Sequence, residues 1–170
     1  MNKISPNAKF YGNIVLGSNV RVDDFAILTG NIIVGDNIHI ACYSFFSGGN
    51  GIIIEDFAQF APRTTLLSGS DDYSGNSLVG PQIPDEFKPY LKKGQIIIKR
   101  HVLLGTNTTV MPGVTIGDGV SVGAYSFVNQ DLEPWGIYAG VPAKFIKHRS
   151  REMLNLEKEF ERRNYENQET

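Results

Sequence analysis

Three histidines, His39, His101 and His148, are the side chains best suited to moving a proton near neutral pH. A base within hydrogen-bond reach of a hydroxyl or amine assists its attack on an electrophile. His39 closes the run VGDNIH and precedes Ile40-Ala41-Cys42-Tyr43. Its side chain is expected to project outward at a corner of the chain path, as a catalytic base or as a buried, hydrogen-bonded interface histidine. His101, in IKRHVL, is expected at the surface, and His148 at the start of a terminal helix. Asp71 and Asp72 are the next catalytic candidates. An unassisted exposed carboxylate, with a pKa of about 4, is a poor base for an alcohol but can orient a histidine. Tyr73 offers a face for substrate stacking. Phe87 and Trp135 read as loop anchors.

His39 and His101 sit on a repeat of six. Small aliphatic side chains recur at Leu16, Val22, Leu28, Val34 and Ile40, and again at Ile98, Leu104, Val110, Ile116, Val122 and Val128. Neither helical spacing nor simple alternation fits this period. Each unit supplies a short flat strand and a corner, with Gly, Asp and Asn suited to the corner backbone. Three units make a triangular coil of roughly 18 residues, and coils stack at about 4.8 Å. A two-residue excursion at Ser47-Gly48-Gly49-Asn50-Gly51 interrupts the count before Ile54 restores it. Residues 69–95 break it completely. A polar loop of that length inside a compact domain is usually functional or disordered.

The units LGTNTT, IGDGVS and VGAYSF match the bacterial hexapeptide pattern, and LGSNVR, VGDNIH and IEDFAQ match it more weakly. The chain resembles the hexapeptide-repeat acyltransferases. That resemblance implies an all-β fold, a left-handed parallel β-helix (hexapeptide-repeat solenoid) with an inserted loop and a C-terminal α-helix. The left-handed coiling comes from the resemblance, since general crossover rules favour the opposite hand. Residues 1–147 are expected to form the β-helix domain and 148–170 the helix and tail. Ser150 is the expected N-cap with Glu152 in the first turn, and Met153, Leu156 and Phe160 form one apolar face. The helix is expected to cap the open end of the last coil, and the tail NYENQET to fray.

The segment HVLLGTNTTVMPGVTIGDGVSVGAYSFVNQDLEPWGIYAGVPAKFIK is similar to the C-terminal half of the galactoside and maltose O-acetyltransferase branch. The resemblance spans roughly residues 10–148. It implies acetyl-coenzyme A as acyl donor, a homotrimer, and an active site between neighbouring subunits. By position, Thr106 and Ala124 match small residues beside the pantetheine arm, and Lys144 and Lys147 match basic residues near the nucleotide phosphates. Lysine is a usable point-charge partner for phosphate, although solvated surface lysines are the alternative. Asn129 and Gln130 stand where relatives often carry Thr-Lys. The branch places its catalytic histidine where the chain leaves the coil. Here that junction reads Leu67-Ser68-Gly69-Ser70-Asp71-Asp72-Tyr73, with no histidine. His39 and Asp71 end different sides of their coils, so they could meet only across a subunit boundary.

The formal charge of −2 gives no sign of a general nucleic-acid surface. No apolar run reaches membrane-spanning length, and the N-terminus lacks a signal-peptide core. The lone Cys42 excludes an internal disulfide framework. A cytoplasmic protein is the expectation. Three functions remain in view. The first is O-acetylation of a sugar in bacterial surface polysaccharide synthesis. The second is N-acetylation of a nucleotide-linked amino sugar, which suits the missing loop histidine. The third is a non-catalytic β-helix scaffold. A zinc module is disfavoured because the histidines are scattered.

Overall fold

The computed structural model describes residues 1–166 and is a left-handed parallel β-helix with one C-terminal helix. The first face stacks Lys3–Ile4, Arg21–Val22, His39–Ile40, Gln59–Phe60, Leu103–Leu104, Ser121–Val122 and Gly136–Ala139. Lys9–Leu16, Ile27–Val34 and Phe45–Ile54 each turn through one edge and serve two faces. Their leading halves continue the second face onto Thr65–Leu67, Thr109–Val110 and Phe127–Val128. Their trailing halves continue the third onto Ile96–Ile98 and Thr115–Ile116.

Two side chains per unit point inward, the aliphatic first position and the small or branched fifth. Leu28, Val34, Ile40, Leu104 and Val110 fill the first kind of site; Val20, Ala26, Ile38, Ala58 and Val120 fill the second. All are essentially buried, so each coil's lining is completed by the coil above and below. The excursion behaves as its spacing implies: Gly30 pairs with Gly48, and the register resumes at Ile32 and Ile52.

The fourth position of the unit makes the corner. Asn19, Asn37 and Asn107 have φ near 59° or below, which asparagine tolerates. Phe25, Tyr43, Phe57, Arg63, His101, Tyr125 and Trp135 adopt the same left-handed backbone. Asparagine stands at the corners as expected, but larger side chains are accepted there too. A side chain bearing Cβ there costs roughly 1–2 kcal/mol, so something must offset it.

At the first edge the compensation is visible. Asn19, Asn37, Phe57, His101, Gly119 and Trp135 form one ridge between the third and first faces. The terminal helix, Met153–Glu166, lies along this ridge. Phe160 meets Phe57 edge-on at 6.2 Å, His101 stacks on Phe57 at 5.1 Å, and Arg151 covers Trp135 at 5.0 Å. Glu157 accepts from Arg100 at 2.5 Å and bonds the His101 ring at 3.0 Å, while Arg100 also binds Asp56 at 2.5 Å. Arg149 donates to the carbonyls of His101 and Gly119 at 2.8 and 3.1 Å. Burial pushes the Arg149 guanidinium below its ordinary value.

The helix is thus a brace on an edge and does not cap the last coil. It starts at Met153, after Ser150 Oγ has accepted the Glu152 N–H at 3.2 Å. Before it, Lys144–His148 turns back at the cis Val141–Pro142 peptide and pairs antiparallel with Gly136–Ala139. His148 therefore ends a strand instead of beginning a helix, with its ring 5.1 Å from Phe145. Asn164, Tyr165 and Glu166 belong to the helix; the remaining expected tail, 167–170, lies outside the described residues. Among the described residues no helix is long and apolar enough to cross a membrane.

Replacing Glu157 by alanine leaves Arg100 and His101 without their shared acceptor. The expected loss is about 1–3 kcal/mol, reduced by the solvent that reaches Arg100. Denaturant unfolding, with limited proteolysis reporting release of residues after Arg149, measures it.

Candidate functional site

The second and third edges are built differently from the first. The second, between first and second faces, carries Phe25, Tyr43, Arg63, Asn107 and Tyr125 at its left-handed corners. Phe25 stacks on Tyr43 at 5.1 Å and Arg63 covers Tyr43 at 5.6 Å. These aromatics remain exposed; Tyr125 keeps 71 % of its surface. Thr106 and Ala124 stand on this edge one coil apart, where the Thr106 carbonyl accepts the Tyr125 N–H at 2.8 Å. A side chain at Gly105 would lie 2.6 Å from the Ala124 nitrogen, so glycine is what lets these coils approach. Lys144 pairs with Ala139 at the far end of the same edge, and Lys147 pairs with Ile137 farther along the first face. Both lysines are exposed, without an ion pair among the described residues. Three of the four expected cofactor residues therefore share one line. Asn129 and Gln130 follow the second face and lie toward the third edge instead.

The third edge is a glycine ladder followed by the loop. Gly12, Gly30 and Gly48 stack at the turn between second and third faces. The chain leaves at Ser68, runs through the loop, and returns through Lys92–Lys93, which pairs antiparallel with Gly69–Ser70. Ser68 is fully buried. Its Oγ donates to the Ser47 carbonyl at 2.8 Å and accepts the Asn50 N–H at 2.9 Å, and the Asn50 amide donates to the Ser68 carbonyl. The excursion thus anchors the loop root.

Asp71 and Asp72 have different jobs. Asp72 accepts from the Ser74 N–H, the Ser74 hydroxyl and the Asn76 N–H at 3.0, 2.8 and 2.9 Å. The Ser74 bonds come first among the influences that hold its carboxyl below the usual value. It caps a turn, and this geometry makes it a poor base. Among the described residues the Asp71 carboxylate accepts only the Gly80 N–H, at 3.2 Å through Oδ2, leaving Oδ1 unshared. Tyr73 is 86 % exposed beside them. Phe87 is exposed, so its side chain does not anchor the loop as expected, whereas Trp135 does pack, against Gly119 and Arg151.

His39 lies on the flat first face, not at a corner. Its Nε2 is 2.7 Å from Asp23 Oδ2, and Arg21 Nε donates to Asp23 Oδ1 at 2.7 Å. Burial raises the Asp23 carboxyl, but the bonds from His39 and Arg21 outweigh it and hold the group below its ordinary value. Arg21 and Asp23 escaped the sequence reading, although Arg21 and His39 occupy the same unit position one coil apart. His101, expected at the surface, is buried under the terminal helix. Within one chain, the first face carrying His39, the second edge carrying Thr106 and Ala124, and the third edge carrying Asp71 are distinct parts of the prism.

The bacterial transferase hexapeptide (six repeats) family model matches residues 95–130. The chain is 39% identical over 163 residues to a dTDP-4-amino-4,6-dideoxy-D-glucose acyltransferase of Escherichia coli, covering 93% of this chain and 84% of that one. A solved structure of AntD, an N-acyltransferase from Bacillus cereus in complex with dTDP and 3-hydroxybutyryl-CoA, superposes with a TM-score of 0.93 at 44% identity. That match covers 97% of this chain and 90% of the other. A shorter match, 42% identical, joins 46% of this chain to 39% of the putative lipopolysaccharide biosynthesis O-acetyl transferase WbbJ of Escherichia coli. With the sixfold ladders, the three-edged prism and near full-length likeness agreeing, the chain belongs to the bacterial hexapeptide-repeat transferase family and is an acyltransferase.

Proposed function

We propose that the protein transfers an acyl group from an acyl-coenzyme A to the amine of a dTDP-linked 4-amino sugar. The observation that carries this is the loop root, which offers the unshared oxygen of Asp71 and no histidine. An amine is a nucleophile once it has shed one proton, so it needs less base assistance than a hydroxyl. Asp71 Oδ1 accepts an N–H from the acceptor amine and orients its lone pair toward the thioester carbonyl. The nitrogen–carbon bond forms, the carbon–sulfur bond breaks, and the proton lost by the nitrogen ends on the departing thiol. Tyr73 supplies an exposed face for the acceptor.

The donor lies along the second edge. Thr106 and Ala124 leave room for the pantetheine arm, and Lys144 and Lys147 meet the phosphates as point charges. Acetyl-CoA is the expected donor. A homotrimer completes the site, because the donor edge and the loop edge of one chain diverge and a three-fold neighbour brings them together. The exposed Phe25, Tyr43 and Tyr125 are the apolar material for that contact. The reaction is cytoplasmic and its product is a precursor of surface polysaccharide.

A second reading, O-acetylation of a sugar hydroxyl, is favoured by the His39–Asp23 pair, which has the form of an oriented base. Release of free thiol from acetyl-CoA separates the two. Turnover is expected with dTDP-4-amino-4,6-dideoxyglucose and not with the 4-hydroxy sugar nucleotide. Turnover with hydroxyl acceptors alone overturns the amine reading. No thiol release, and no thermal shift with acetyl-CoA, leaves a scaffold.

A further inference from the structure

Nearly every side chain between Tyr73 and Lys93 is exposed or half-exposed, but the Lys88 side chain keeps only 7 % of its surface. A lysine is buried only where its ammonium is held. Lys88 Nζ donates to the Gly80 carbonyl at 3.3 Å and lies 3.1 Å from Asp85 Oδ1. Asp85 is itself gripped by Lys93 at 2.6 Å, at the strand that returns the chain to the coil. Gly80, in turn, gives its N–H to Asp71 Oδ2. The path is continuous, running from the returning strand through Asp85, Lys88 and Gly80 to the carboxylate at the loop root. The Leu78 N–H donates to the Phe87 carbonyl and the Tyr90 N–H to Ser77 Oγ, at 3.0 Å each, and these bonds close the same knot.

We infer that Lys88 is a positioning residue for the acceptor amine, acting through Gly80 to fix the direction of the Asp71 carboxylate. This rests on the reading that Asp71 receives that amine. Lys88 does not touch substrate. It holds one residue, Gly80, whose carbonyl faces the ammonium and whose N–H, in the preceding peptide group, faces Asp71. The coil beneath does not depend on it, since Lys88 contributes nothing to the apolar lining.

The test uses the full chain, acetyl-CoA and dTDP-4-amino-4,6-dideoxyglucose. Lys88→Met fills similar volume without a donor. The expected result is a rise of about tenfold in acceptor KM with some loss of kcat, an unchanged KM for acetyl-CoA, and an unchanged main unfolding transition. Asp85→Asn should shift the same parameters less. Combining Lys88→Met with Asp71→Asn should add nothing to Asp71→Asn alone, because two residues on one path are not additive. Full additivity, a parallel rise in donor KM, or a lowered melting temperature with unaltered kinetics overturns the inference. Inactivity of the wild type with this acceptor would instead remove the amine reading beneath it.

Discussion

Asp71→Asn is expected to lower kcat/KM for the amino-sugar acceptor about a hundredfold, while His39→Ala changes it by less than about fivefold. A hundredfold loss corresponds to about 2.7 kcal/mol, within the range of a hydrogen bond that carries a charge. Asparagine keeps the shape of the side chain and still accepts the Gly80 N–H, so the loop stays closed. What disappears is the negative charge on the free oxygen. His39 is committed to Asp23 on the first face, and that face is remote from the loop root of the same chain. Steady-state kinetics on the two variants, each checked for an intact melting transition, reads the outcome. An Asp71→Asn enzyme with wild-type kcat/KM removes Asp71 from the mechanism. A hundredfold loss in His39→Ala would instead promote the His39–Asp23 pair and hydroxyl acylation.

Gly30→Ala is expected to cost at least about 3 kcal/mol, a large share of the roughly 5–15 kcal/mol that holds a domain folded. Gly30 has φ of 90°, and a Cβ there would sit 2.6 Å from the Gly48 oxygen and 2.7 Å from the Gly49 nitrogen. Both obstacles are backbone held in a parallel ladder, so neither can step aside. The strained dihedral and the clash add to one another. Gly49→Ala, one residue past Gly30's partner Gly48, is the control: a Cβ there meets nothing within 4 Å, and its stability should stay within about 0.5 kcal/mol. Denaturant midpoints of the two variants, compared with the parent, give the answer. Equal stabilities would mean that the third edge is not packed as described.

Much of this architecture was legible because its code is local. Leu28, Val34 and Ile40 announce the inward direction three times within one coil, and Ile54 restores the count after the excursion. The places that misled are those where a distant segment decides. His101 carries no mark of burial in IKRHVL; it is buried because a helix more than fifty residues later lays Glu157 against it. That helix shows an apolar face, but nothing in Met153, Leu156 and Phe160 says whether they cover a coil end or an edge. The strand Lys144–His148 was missed because AGVPAKFIK has no six-residue period and its pairing is antiparallel. Thr106 and Ala124 stand one coil apart because the period sets that spacing; their link to a cofactor came from the family resemblance. The separate roles of Asp71 and Asp72 depend on which backbone amides fold back onto them. Lys88 left no trace at all, since a loop without a period cannot reveal which of its lysines turns inward.

The two ends of the loop touch. Gly69 and Lys93 are direct cross-strand partners, and the Gly94 N–H reaches the Ser68 carbonyl at 3.0 Å. Everything between them behaves as a cassette plugged into a socket. A chimera carrying another member's segment at these two ends should inherit that member's acceptor preference while melting like the recipient. Diversification of what is acylated could then proceed by exchange of a single insert, with the prism passed on unaltered.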